Sequence, residues 1–293
     1  MQLSSLRLGA LLASPAVAYL LLFFAVPGLF LFAYSFWTAA AFRITPGFDF
    51  GNYISSLTSP LFWKVTTNAI MIGLFTATVT VILSIPVAYY LVYIKKSKFV
   101  LYLILLTWFS SYLVRIYAWR TLLGTNGLLN TLLLQVGIID QPVDAFLFSP
   151  FAVTLTLIHI YLPFSILLVV SAFSDIKGDL LVASRDLGTS AIGAFFKVVA
   201  PNASSGLLGA FMLTFILVAG DYVTPQMLGG SSGQTTGLLI ADHFRKTGNW
   251  PLGAAQAFLM FVVSLVIYLV VSKLGQWAGV IVKRKSPSSR RGA

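Results

Sequence analysis

The chain contains no cysteine and no glutamate, and its eight acidic residues are all aspartate. The first absence excludes disulfides, thiolate metal sites and thiol nucleophiles. The second, with only two histidines in 293 residues, leaves no triad, acid–base pair or metal-ligand spacing on which to build catalysis. No metal or cofactor is therefore expected on this chain. Charge is scarce as well: charged residues make up 9%, against 58% hydrophobic and 14% aromatic. So little polar surface cannot cover a soluble body of this size, and lipid is the implied solvent. A net charge of +11 would suit nucleic acid only on a soluble basic face. Here Lys and Arg cluster between apolar runs, which is the pattern of a membrane protein, and nucleic acid is not an expected partner.

A membrane helix needs about 20 apolar residues, and the sequence supplies such runs near 13–37, 66–94, 99–121, 149–172, 204–226 and 253–280. The first run follows Arg7, like a signal peptide, but is far longer than an apolar signal core of about 7–15 residues and reads as a span. No appended soluble domain or internal repeat is apparent, so residues 1–293 are expected to form a single all-α transmembrane domain. Arg7, Lys95, Lys96, Lys98, Lys177, Arg185, Lys197 and the tail cations Lys283, Arg284, Lys285, Arg290 and Arg291 fall on one side of these spans. Arg43, Lys64, Arg245 and Lys246 fall on the other, with Arg120 near its boundary. The bias places both termini and the 173–203 loop in the cytoplasm. The tail "KRKSPSSRR" reads as a solvated segment near anionic lipid.

Within that loop, "VASRDLGTSAIGAFFKVVAP" (182–201) is charged and punctuated. Asp179 is expected to cap a short helix over 180–187, with Leu180, Ala183, Ser184 and Leu187 on one face. Gly188 suits the position that ends it. Thr189 or Ser190 then caps a second helix with Ile192, Phe195, Phe196 and Val199 as its stripe, and Pro201 is expected to stop it. Eight residues at 1.5 Å rise reach about 12 Å, so neither helix spans. Periodicity alone leaves open a loop lying on lipid headgroups or a docking surface for a partner protein. Gly188 and Gly193 also give a G-x-x-x-x-G, but Ala194 and Phe195 stand where a phosphate loop needs Lys and Ser or Thr.

The same segment resembles the cytoplasmic loop signature of binding-protein-dependent ABC importer permeases, E-A-A-x-x-x-G followed by an apolar stretch and L-P. Val182, Ala183 and Ser184 stand at the E-A-A positions, Arg185, Asp186 and Leu187 fill the next three, and Gly188 is the glycine. Val198 and Pro201 take the later apolar and proline positions, with Ala200 where Leu is usual. Val182 replaces the glutamate, and Ser184 the second alanine. The strings "SSYLVRIYAWRTLLGTNGLLN" (110–130), "IHIYLPFSILLV" (158–169), "AGDYVTPQMLGG" (219–230) and "NWPLGAAQAF" (249–258) are similar to polyamine-importer (spermidine/putrescine type) permeases. The resemblance implies a six-helix inner-membrane permease bundle whose loop docks as a coupling helix on a cytoplasmic ATPase dimer. Further implied partners are a second permease subunit and a periplasmic or extracellular solute-binding protein. ATP and Mg²⁺ would then be bound by the ATPase, and this chain would not itself be an enzyme.

Asp221 closes the fifth apolar run, and an ionisable group near membrane depth is a functional candidate. It is a candidate partner for a substrate ammonium, with Tyr222, Tyr117 and Trp119 offering cation–π contacts. The alternative is that Asp221 caps a helix end or pairs with Arg115 or Arg120. Arg115 reads as structural, because it would repel a cationic cargo. His159 reads as an interhelical hydrogen bonder, and Pro86 and Pro163 as helix kinks. Two rival functions remain at this point. An ion-gradient-driven secondary transporter calls for several intramembrane acids, which the spans lack; a non-transporting membrane scaffold would use the loop only as a dock.

Overall fold

A computed structural model describes residues 12–40 and 43–277. Arg7, the tail cations 283–291 and the last positions of the sixth expected span, 278–280, lie outside the described residues. The elements in order are α1 (Leu12–Tyr34), strands β1 (Thr38–Ala40) and β2 (Arg43–Thr45), α2 (Gly51–Thr58), α3 (Pro60–Ile94), α4 (Lys98–Phe109), α5 (Tyr112–Leu123), α6 (Leu128–Gln135), α7 (Pro150–Ser174), α8 (Gly178–Asp186), α9 (Ala191–Ala219), α10 (Thr236–Asp242) and α11 (Trp250–Trp277). The strands pair antiparallel with Thr38 opposite Thr45. Helices α1, α3, α7, α9 and α11 are each long and apolar enough to cross a membrane.

The chain falls into two compact units. One takes in residues up to 63 with 239–262. Here Phe36 is enclosed by Phe48, Phe50 and Tyr53, and Asn52 ties the chain by donating to the Ser35 and Trp37 carbonyls. Its α1 turns large apolar side chains outward along its length, as a helix solvated by lipid does.

The other unit, 64–238 with 263 onward, holds the loop and the candidate carboxylate. Two apolar clusters organise it. Ile72, Ile116, Leu157, Ile160 and Val218 centre one; Ala88, Val169, Phe173, Val199 and Ala203 centre the other. Both draw on α7, whose buried positions Val153, Leu157, Ile160, Pro163, Ile166, Val169 and Phe173 recur every three or four residues. Helices α7 and α9 approach closely because Gly206 has no side chain: a Cβ there would strike Ala172. Small residues at such crossings let membrane helices gain packing contacts where the hydrophobic effect offers none.

Three expectations change. The third span is not one helix: α4 meets the stretch Tyr112–Gln135, α5 with α6, at 87°. Ser110 and Ser111 are both extended there, with ψ of 146° and 130°. The Ser110 hydroxyl donates to the Thr107 carbonyl at 2.7 Å, so this serine competes for the backbone where the run breaks. The second change concerns Pro201, which does not end a short helix, because α9 runs through it to Ala219. A widened turn at Phe195–Val199 precedes the proline, and Asn202 Nδ2 donates to the Val198 carbonyl at 2.7 Å. The widened turn, in which the Ala200 N–H donates back to the Phe195 carbonyl, breaks the four-residue register just ahead of the proline, where the missing N–H would otherwise cost a bond. The fifth span accordingly covers 191–219 rather than 204–226, and Gly220 closes it. Lastly, Asp179 is not a cap. It lies in the first turn of α8 after Lys177, where its charge faces the helix dipole favourably.

Gly206→Val is expected to destabilise the α7–α9 crossing by about 1–3 kcal/mol through overpacking. Gly209, three residues on, has open space around its Cβ position, so Gly209→Ala should be neutral or slightly stabilising. Thermal unfolding of the two variants in detergent checks the contrast.

Candidate functional site

Helix α8 ends as its sequence requires. Gly188 has φ +78°, a conformation that costs other L-residues about 1–2 kcal/mol. Its N–H donates to the Arg185 carbonyl at 2.8 Å, and the Thr189 N–H donates to the Ser184 carbonyl at 3.1 Å. These two bonds form a Schellman end. Ser190 then caps α9, its Oγ accepting from the Gly193 N–H at 3.2 Å, so of the two residues expected to cap this helix it is Ser190 that does so.

The residue on which α8 rests lies outside the stripe read from periodicity, which left open which way the stripe turns. Leu181, 5% exposed, is the residue driven into the core against α7 and α9. Leu180, Ala183 and Leu187 turn outward, Leu187 at 87% exposure, and Val182 is 58% exposed. Arg185 and Asp186 are exposed beside them. One leucine sufficing as the anchor leaves the other apolar residues free. On α9 the expected stripe splits: Val199 is buried and Phe195 half-buried, while Ile192 and Phe196 are exposed.

The second candidate region surrounds Asp221, which follows the end of α9 and is 8% exposed. One carboxylate oxygen accepts from the Tyr112 hydroxyl at 2.6 Å, the other from the Val223 N–H at 3.0 Å. The Tyr112 oxygen also lies 2.9 Å from the Thr224 hydroxyl, and the Thr235 hydroxyl donates to the Asp221 carbonyl at 3.3 Å. Among the described residues no ion pair joins Asp221 to Arg115 or Arg120. Arg115 instead spans the bend, donating from Nη2 to the Ser110 carbonyl at 3.2 Å and from Nη1 to the Ile160 carbonyl of α7 at 3.1 Å. Arg120 sits 6.0 Å from the centre of the Phe148 ring.

The aromatic candidates are not gathered around the carboxylate. Trp119 Nε1 donates to His159 Nδ1 at 2.9 Å, fixing both side chains between α5 and α7. Tyr117, on the same helix, is exposed, as is Tyr222 beside Asp221. Tyr112 is the residue that sequence reasoning overlooked. The signal lay in "SSYLVR", where a tyrosine follows the helix-breaking serines and precedes Arg115 by one turn. In the other unit, burial pushes the His243 imidazole below its usual range, with Asp242 partly opposing this. Among the described residues no cluster of three or more His, Asp or Glu side chains is placed to hold a metal.

Residues 79–285 match the family model described as binding-protein-dependent transport system inner membrane component. The chain is 30% identical over 265 residues to the spermidine/putrescine transport system permease protein PotB of Escherichia coli K12, covering 88% of this chain and 95% of that one. It is also 30% identical over 260 residues to PotB of Haemophilus influenzae, covering 86% and 89%. A bacterial ABC transporter involved in import of the acidic polysaccharide alginate shares the fold, with a TM-score of 0.71 at 16% identity over 94% of this chain and 99% of that one.

Tyr112→Phe removes one of the two donors to a buried carboxylate, at an expected cost of about 1–3 kcal/mol. Thermal unfolding should show this loss, whereas Tyr117→Phe, at an exposed position, should leave stability unchanged within error.

Proposed function

Because the chain belongs to the binding-protein-dependent transport system inner membrane components, we propose that it is driven by a separate cytoplasmic ATPase dimer docked on the 178–201 segment. It is a permease subunit of an importer, and the further assignments here build on that. The observation that carries the coupling role is the outward presentation of Leu180, Val182 and Leu187 on a helix held by Leu181 and closed by a glycine at positive φ. A short, rigid, partly apolar helix is the element a partner's cleft can grip. Val182, Ala183, Ser184, Arg185, Asp186, Leu187 and Gly188 form the docking surface in this reading. Pro201 lies in α9, the rigid rod that carries a push on the loop into the membrane. With Val182 in place of the signature glutamate, Asp186 or Asp179, both exposed on α8, would supply the charge to the ATPase.

In this proposal a second permease completes the pore, a periplasmic binding protein delivers the solute, and ATP with Mg²⁺ binds the ATPase alone. The loop faces the cytoplasm, in keeping with its share of Lys and Arg. ATP-driven closure of the ATPase would displace α8 and tilt the spans between inward- and outward-facing states. The cargo is a polyamine or a related small cationic or organic solute, as the likeness to the PotB permeases supports. Asp221 would meet an ammonium group once Tyr112 yields its hydrogen bond, with Tyr222, Tyr117 and Trp119 along the same route.

Gly188 has open space beyond its Cβ position, and Asp and Asn tolerate positive φ better than most residues. Gly188→Asp should therefore fold and insert, yet abolish solute uptake by the reconstituted transporter while ATP hydrolysis continues. Full-rate uptake by a normally assembled Gly188→Asp transporter would contradict the coupling role.

A further inference from the structure

An apolar groove of about 450 Å³ opens in the same compact unit, beside the loop. Ile85, Pro86 and Tyr89 of α3 form one wall, and Ile192, Phe195 and Phe196 of α9 the other. Ile192 is 73% and Phe196 66% exposed, so the described residues leave the groove open. Ile94 also lines it, and Ile85 lies about 13 Å from Ile94 along a helix rising 1.5 Å per residue. The slot thus extends from the end of α3 into its apolar stretch.

Three cations neighbour residues that line this slot. Lys95 follows Ile94 directly, Lys197 follows Phe196, and Arg185 Nη2 donates to the Tyr89 hydroxyl at 3.4 Å. All three are exposed, and among the described residues none is in an ion pair. Asp186, next to Arg185, is the neighbouring acid and is itself exposed. An apolar slot with cations next to its lining is complementary to an amphiphile with an anionic head. Basic pockets at the ends of membrane helices take such headgroups, and a guanidinium matches a phosphate in geometry as well as charge.

We propose that this groove binds one anionic phospholipid, with an acyl chain between α3 and α9 and the phosphate held by Lys95, Lys197 and Arg185. The chain then lies against the widened turn at Phe195–Val199, close to where α9 emerges from the loop.

The chain has no cysteine, so a single reporter is specific. Phe196→Cys carries a bimane label in the assembled transporter, reconstituted into phosphatidylcholine nanodiscs. A minor fraction of the lipid is brominated phosphatidylglycerol or, in parallel, brominated phosphatidylcholine. Brominated phosphatidylglycerol should quench the label at least about threefold more strongly at equal mole fraction, reflecting local enrichment of the anionic lipid. Adding Lys95→Gln and Lys197→Gln should remove the difference. Equal quenching by the two lipids, or a preference that survives the double substitution, would overturn the proposal. Quenching by neither lipid would overturn it too, since a protein neighbour would then fill the groove. Ile192→Cys reads the same groove should the first reporter fail to assemble.

Discussion

Every backbone N–H and C=O in hydrocarbon needs a partner within the protein, because no water is there to supply one. At two of the breaks among the described residues a side chain answers that requirement. Where Ser110 and Ser111 break the third span, Arg115 reaches back to the Ser110 carbonyl. Where α9 ends at Gly220, Asp221 accepts from the Val223 N–H and takes the Tyr112 hydroxyl as a second donor. The polar residues that look like candidate chemistry in the sequence are, in the first instance, what permits the helices to bend and stop.

That constraint also explains why the loop is built as it is. Outside the hydrocarbon α8 can rest on the single buried Leu181 and still present Leu180, Val182 and Leu187 outward. The Schellman end at Gly188 and the Ser190 cap join it to α9 through a short, hydrogen-bonded corner. Since α9 passes through Pro201 without stopping, the second half of the loop and the span are one continuous helix. The close Gly206–Ala172 approach packs that helix on α7, and in the proposed function this is the path by which displacement at α8 would reach the centre of the unit.

Much of this was legible from residues alone. Apolar runs located the spans, Gly188 marked the helix end, and "SAIG" held the cap of the next helix. The errors have common physical roots. A serine pair inside an apolar run reads as tolerable until the Ser110 hydroxyl is seen taking the Thr107 carbonyl, and Pro201 reads as a stop until the widened turn before it is seen. Periodicity placed Leu180, Ala183, Ser184 and Leu187 on one face of α8 without telling whether that face turns inward or outward. A single leucine, Leu181, settled that. Tyr112 was missed because its role depends on Asp221, 109 residues away in sequence.

The central claim is that α8 is gripped by a separate ATPase. Val182→Cys, introduced into a chain that has no other cysteine, tests this most directly through cysteine-specific cross-linking in native membrane vesicles. The account predicts a cross-link to the ATPase subunit whose yield changes with ATP. A thiol at 182 that stays fully reactive to an aqueous maleimide in the assembled, transporting complex, and never joins the ATPase, would contradict it.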